Sequence, residues 1–442
     1  MASPNRYVIV GSGAAGFAAL EAIRARDPHG KIQWVTSDPH RYYSRPGLAY
    51  YLLGEIPEEQ LFPANERLLR DLKFEWVQGH AAGLDPAGHR LKLQDGRTLT
   101  YERLLLAPGA IAQKPEQPGI DLEGVLTLDS LTDAQEFLRR VKRGSTAIVV
   151  GGGITALELV EALAGRGAKV HYFLRGDRFW SAVLDEVESR LVESRLAHDG
   201  VKLHYNTSIT DIVGKKGRVA GVNYVENDAT LKMDCDLVFV AIGVRPRMEV
   251  AVSGGVAVKK GILVNEKMET NVPDVYAAGD AAQVFDPRTG EHGLDSLWQP
   301  ASSQGKTAGV NMAGGSHVYL KESPVNVTRL AGLVTTIIGK VGSEKAPADK
   351  DLKGISRGDS AVWRSAPPAM VAQSLGGENR LRLLVGEKAI LGAMVIGDQK
   401  ISRLLQRMVA GKVDITAQRA ELTKPGVDLT GIIHHEYGRI MC

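Results

Sequence analysis

Two stretches of the chain repeat one pattern of apolar and polar positions. An unbroken apolar run, RYVIV (6–10), gives way to a glycine turn, GSGAAG, and then to the helically spaced FAALEAIRA. About 140 residues later the same order returns as STAIVV, GGGITA and LELVEALAGRG, followed by AKVHYFLRG. Short continuous apolar runs bounded by turn residues are the mark of strands buried on both faces, as in parallel sheets. The repeats therefore predict an α/β protein with two doubly wound, Rossmann-like sheets and helices on both faces of each. Farther on, LRLLVG and ILGAMVIG have the short strand pattern of an antiparallel sheet. After them KISRLLQRMVAG sets Ile401, Leu404, Leu405 and Met408 on one side of a helix. This divides the chain into a first dinucleotide unit (1–114), an inserted second unit (115–243), the completion of the first (244–322) and a small C-terminal α+β unit (323–442). The last stretch, from about 412 onward, is weakly patterned and is expected to lie across another surface.

The turns carry the chemistry. In the first, Gly11 permits the tight turn, Gly13 lets backbone approach a pyrophosphate, and Gly16 lets helix and strand touch. Ala14 and Ala15 complete the loop at the helix N-terminus, where phosphate charge is favoured. The next strand, KIQWVTSD, ends in Asp38, 22 residues after Gly16, where a carboxylate accepts from ribose hydroxyls; Ser37 is the fallback. In the second turn Gly151, Gly153 and Ala156 take the fingerprint positions, with Ile154 between them. The strand that follows ends without an acid, in LRGDR. Arg175 and Arg178 there suit the 2′-phosphate of NADP, unless they are solvated loop residues.

Composition narrows the partners. A net charge of +3 over 442 residues gives no case for nucleic acid. Cys235 and Cys442 are the only cysteines, which excludes a disulfide framework, a CxxC redox pair and a cysteine-ligated iron–sulfur cluster within the chain. Cys235, in MDCDLVFVAIG, reads as a buried inert thiol, and Cys442 as a free tail thiol. No metal site is expected. No apolar run reaches the length that spans a bilayer, and the N-terminus lacks a leader pattern, so a cytoplasmic protein without membrane association is expected.

Three more segments complete a family pattern: LLLAPGA with Ala107, Pro108 and Gly109, LVFVAIGVRPR with Gly243, and TNVPDVYAAGDAAQV with Gly279 and Asp280. Together with the two loops, residues from about 6 to about 315 resemble the pyridine-nucleotide-dependent FAD oxidoreductases of the glutathione-reductase superfamily. The resemblance implies FAD in the first site and NAD(P)H in the second, with hydride passing between their rings. It also implies Asp280 on the flavin's ribityl–pyrophosphate portion and a helix starting at Ala281. Within the superfamily the chain is most similar to rubredoxin reductase, putidaredoxin-reductase-like enzymes and the flavin module of nitrite reductases. LWQPASSQGKTAGVNMAG is then the helix that brings Trp298 and Gln299 to the flavin edge.

The departures are as informative. In RYYSRPGLAYYLLGE, Arg45 and Pro46 stand where disulfide reductases carry a redox cysteine. The C-terminal His-Pro dyad is also absent, His434 and His435 reading as a surface pair, and Ile154 replaces a gating tyrosine. The resemblance further implies that Arg45 meets Glu158 beside the flavin and stabilises negative charge there. With no thiol relay, electrons are expected to leave the flavin directly for an external acceptor, best a small iron–sulfur protein of rubredoxin or ferredoxin type; the reverse direction is chemically equivalent. Two alternatives stand beside this reading: an NAD(P)H oxidase making hydrogen peroxide, and a flavoprotein subunit or scaffold docked on a larger redox complex. A homodimer or larger assembly stays open.

Overall fold

The computed structural model describes residues 5–342, 357–364 and 368–438. The leading apolar run becomes the centre of a five-stranded parallel sheet, ordered Val275–Ala277, Arg103–Leu106, Arg6–Val10, Lys31–Thr36, Glu75–Gln78. Val8, Ile9, Leu104 and Leu105 are fully buried in it, which is why these strands read as continuous apolar runs. One strand arrives from residue 275, so the chain leaves this sheet and returns to finish it. In between lies a second parallel sheet, ordered Lys202–His204, Lys169–Phe173, Thr146–Val150, Leu237–Val240, Val125–Leu126. The two crossings pair with each other as short antiparallel strands, Ala110–Ala112 and Val244–Pro246.

Helix Ala14–Arg26 packs unusually closely on helix Trp298–Met312. A Cβ at Gly305 would stand 2.0 Å from the Ala15 carbonyl oxygen, and one at Gly309 2.5 Å from that of Ala19. The helices therefore meet backbone to backbone, which fixes the first glycine loop against the late helix.

The C-terminal sheet is antiparallel, ordered Val325–Leu330, Leu333–Gly339, Ile390–Ile396, Asn379–Val385, Met370–Gly376. Helix Ser402–Gly411 buries Leu404, Leu405 and Met408 against it. Charge ties this sheet to the second unit. Arg382, almost fully buried, donates to Glu188 at 2.8 and 3.0 Å and to the Val183 and Val341 carbonyls. Neighbouring Arg380 reaches Glu188 and Asp185.

Two expectations are corrected. The tail folds back instead of crossing another surface: helix Leu429–Tyr437 is capped by Asp428 and buries Leu429, Ile433 and Tyr437 in the C-terminal core. Nor does a helix start at Ala281. Residues Gly279–Ala281 form one 3₁₀ turn, after which Ala282–Asp286 runs extended because it pairs with Ile262–Val264. Cys235 is buried, as expected, and its surroundings push its thiol up to about 12. Cys442 lies outside the described residues, while His434 and His435 are exposed.

Candidate functional site

The first glycine loop is built by close backbone approach. Gly11 has φ +104°, and a Cβ there would stand 2.0 Å from the Ala107 carbonyl oxygen. A Cβ on Gly16 would stand 2.0 Å from the Gly11 carbonyl oxygen, to which Trp34 Nε1 donates at 2.8 Å. Gly13 is different. It caps helix Ala14–Arg26 with no side-chain hydrogen bond, and a Cβ on it would meet nothing within 4 Å. Open space therefore stands before unsatisfied helix amides, the setting that binds phosphate.

That space continues into a cavity of about 890 Å³. Gly11, Gly13, Ser37, Asp38, Ala107, Pro108 and Gly109 line it, so the structure brings the expected residues of the first site together. The Asp38 carboxylate already accepts from Tyr43 Oη at 3.0 Å and from the His40 amide, which fixes its orientation toward the cavity. Lys114, Arg245 and Arg247 are cations of the wall, Arg245 being paired with Glu249 at 2.7 Å. Arg247 Nε is buried without a partner, and its desolvation lowers that guanidinium's affinity for its proton. The volume, the open cradle at Gly13 and this unpartnered N–H all fit a dinucleotide phosphate; the sequence reasoning had not singled out Arg247.

A second cavity, about 220 Å³, adjoins the first and shares Gly13, Arg45, Ala107, Gly109 and Asp280 with it. Ala14, Ala15, Pro46, Gly279 and Trp298 line it from the first unit, and Ile154 and Glu158 from the second. Gln299 is exposed on the first turn of its helix. Asp280 accepts from Ser296 Oγ at 2.9 Å; burial raises its proton affinity, and Arg357 is the largest opposing charge. The Gly279 amide is occupied by Gln304 Oε1 at 2.8 Å, so it is not a free anion donor.

At the second glycine loop, Gly151 (φ +146°) approaches the Ala241 carbonyl oxygen and the Ala156 methyl. Gly153 caps helix Ile154–Gly165 without a side chain, as Gly13 does for its helix. Gly153 and Gly243 (φ +115°) border a third, small cavity together with Arg357. Arg175 is exposed and Arg178 pairs with Asp177 at 3.2 Å.

Glu158 and Glu161 lie three residues apart on one face of that helix and both open onto the second cavity. Burial, then the neighbouring Glu161, pushes Glu158 up to about 8. Burial likewise pushes Glu161 up to about 7, against the Gly332 amide and Arg329, which favour its charged form. Glu161 was legible as the next residue on the Glu158 face and was missed. The Arg45 guanidinium does not turn to Glu158. It donates to the Asp129 carbonyl and lies 3.7 Å from Asp38, acceptors on its own side of the cavity. The cation that lowers the proton affinity of Glu158 is Arg357, which no motif had flagged.

Two glycine loops at helix N-termini, the first lining both larger cavities and the second meeting it at the smaller of them, are the pattern of a protein with two dinucleotide-type loops. The chain belongs to the pyridine nucleotide-disulphide oxidoreductase family, whose pattern matches residues 5–305. Proteins of this family use FAD and a nicotinamide nucleotide. The chain is 31% identical to the NADH-dependent phenylglyoxylate dehydrogenase subunit epsilon of Aromatoleum evansii, over 76% of this chain and 79% of that one. It is 30% identical to a rubredoxin-NAD(+) reductase of Pseudomonas putida, over 62% and 71%. Its fold matches that of putidaredoxin reductase in a covalent putidaredoxin complex, with a TM-score of 0.84, 20% identity and coverage of 98% and 99%.

Proposed function

We propose that this oxidoreductase takes electrons from NADH and delivers them, through FAD, to a small iron–sulfur protein of rubredoxin or ferredoxin type. Pro46 carries the reading. It starts helix Gly47–Leu53 at the edge of the second cavity, where the resemblance expects a redox thiol, and thiol–disulfide exchange has no nucleophile there. Relatives named for rubredoxin support the acceptor class. The subunit relative supports a second form of the same reading, in which the acceptor is a partner chain of a larger enzyme.

Bound together, the two cofactors supply hydride transfer and one-electron exit; the protein supplies position and charge. The amides behind Gly13 and the wall cations Lys114, Arg245 and Arg247 would hold the FAD phosphates, with Asp38 on the adenosine ribose and Asp280 on the ribityl chain. The amides behind Gly153 would hold the nicotinamide nucleotide, and Ile154 would wall its ring from solvent. Glu158, which lines the second cavity and is protonated near neutral pH, could hold or release one proton at its carboxyl beside the bound cofactors. The NADP preference read from Arg175 and Arg178 weakens in the fold. Asp177 already pairs with Arg178 and would repel a 2′-phosphate, and both curated relatives described above are named for NADH or NAD(+).

Steady-state turnover of the FAD-loaded protein with NADH tests the reading, using rubredoxin, a plant-type ferredoxin, glutathione disulfide and oxygen as separate acceptors. Turnover with an iron–sulfur carrier at least tenfold above that with oxygen or disulfide is expected. Disulfide reduction at the carrier rate would overturn it.

A further inference from the structure

Arg357 belongs to the C-terminal part of the chain, outside both glycine-loop units, yet it lines all three cavities. Its side chain is four-fifths buried. Asp129, at the entry to the second unit, holds it by two bonds: Arg357 donates to the Asp129 carbonyl at 3.0 Å and pairs with its carboxylate. The guanidinium keeps Nε buried and without a partner. The next residue anchors the backbone, since the Gly358 amide donates to the Ser296 carbonyl at 2.9 Å and the Gly358 carbonyl accepts from Asn326. Ser296 is the residue that donates to Asp280. The arginine is thus tied to both walls of the site and to the residue that orients Asp280.

The other candidate cation is Arg45. Its charge is shared between the Asp38 carboxylate and the Asp129 carbonyl, and its side chain is 36% exposed. Both arginines face a carboxylate, Arg45 that of Asp38 and Arg357 that of Asp129, so it is exposure that separates them: Arg357 is 20% exposed, and charge in the drier setting acts more strongly on its neighbours. The ordering of effects on the two buried acids agrees. Arg357 opposes protonation of Asp280 more than Arg45 does, and among the described residues it is the cation that opposes that of Glu158.

We propose that Arg357 is the fixed cation of the redox centre, a positioning residue that raises the electron affinity of bound FAD from the C-terminal side. Arginine suits the role because it stays protonated throughout the working pH range and its planar fork can bind Asp129 while presenting a further N–H. Arg45 is then a structural partner of Asp38 and Asp129. The inference rests on FAD binding in the first site, but not on the identity of the final acceptor.

The test is an anaerobic dithionite titration of the FAD-loaded full chain against reference dyes, which needs neither NADH nor a carrier. It therefore distinguishes failure of this proposal from failure of the proposed activity. Arg357→Gln is expected to shift the oxidised-to-reduced ratio at fixed potential at least tenfold toward oxidised FAD, about 30 mV for a two-electron couple. Arg357→Lys, which keeps the charge, should recover at least half of that shift and guards against a fold-disrupting effect of the glutamine. Arg45→Gln should shift it less than threefold. An unchanged potential in Arg357→Gln, or a larger shift in Arg45→Gln, would overturn the proposal. Equal shifts in the glutamine and lysine variants would overturn the role of charge.

Discussion

Replacing Glu158 with glutamine removes an acid that the fold holds in an unfavourable state at neutral pH. In the unfolded chain it loses its proton near the usual 4.5; in the native cavity burial and Glu161 push it to about 8. The native state therefore binds the proton more tightly, and stability falls as pH rises between those values. Below about 4.5 the carboxyl is neutral in both states and there is no penalty. At about 1.4 kcal/mol per tenfold in proton affinity, the ceiling is about 5 kcal/mol above pH 8. Solvent entering the open cavity reduces the effect, and about 1–3 kcal/mol is the expected size. Urea unfolding of the flavin-free protein from pH 4 to 8.5 measures it. Wild type and Glu158→Gln should coincide at pH 4, and the variant should be the more stable by about 1–3 kcal/mol at pH 8.5. Identical curves at every pH, or a variant weaker at pH 8.5, would refute the reasoning.

Other substitutions separate fold from binding. Gly11→Ala should destabilise the protein by more than about 2 kcal/mol in denaturant unfolding, since it combines a positive φ with a Cβ inside the Ala107 carbonyl. Gly13→Val should fold normally, because its backbone is extended and its surroundings open, yet weaken FAD at least tenfold by equilibrium dialysis. Arg382→Ala should cost about 3–5 kcal/mol in the same unfolding assay, because it strands buried Glu188 with only part of its pairing. Arg175→Glu should raise KM for NADPH much more than for NADH; equal changes would remove Arg175 from nucleotide selection.

Much of the architecture was legible because it is periodic or punctuated. The strand–glycine–helix repeats reflect constraints that act over a few residues, such as the Gly11 turn and the Gly16 contact, and both loops lie where the spacing placed them. What stayed hidden depends on distant partners. YAAGDAA favours a helix locally, but pairing with Ile262–Val264 keeps residues 282–286 extended. The tail helix carried its signals, Asp428 as cap and Leu429, Ile433 and Tyr437 four apart, but Gly431 and two histidines obscured them. Arg45 was read toward Glu158 by analogy, whereas Asp38 and Asp129 are the acceptors on its side of the cavity. Arg357 sits in a stretch with no motif, and only folding carries it to the cavities.

Rapid mixing of the pre-reduced, FAD-loaded protein with each acceptor under anaerobic conditions tests the central claim most directly. The acceptors are an oxidised iron–sulfur carrier, glutathione disulfide and a measured dose of oxygen, with flavin absorbance followed in time. A chain with Pro46 at the thiol position should be reoxidised fastest by the carrier, in two one-electron steps, with no long-wavelength thiolate–flavin band at any stage. Reoxidation fastest by the disulfide, or the appearance of that band, would contradict the account.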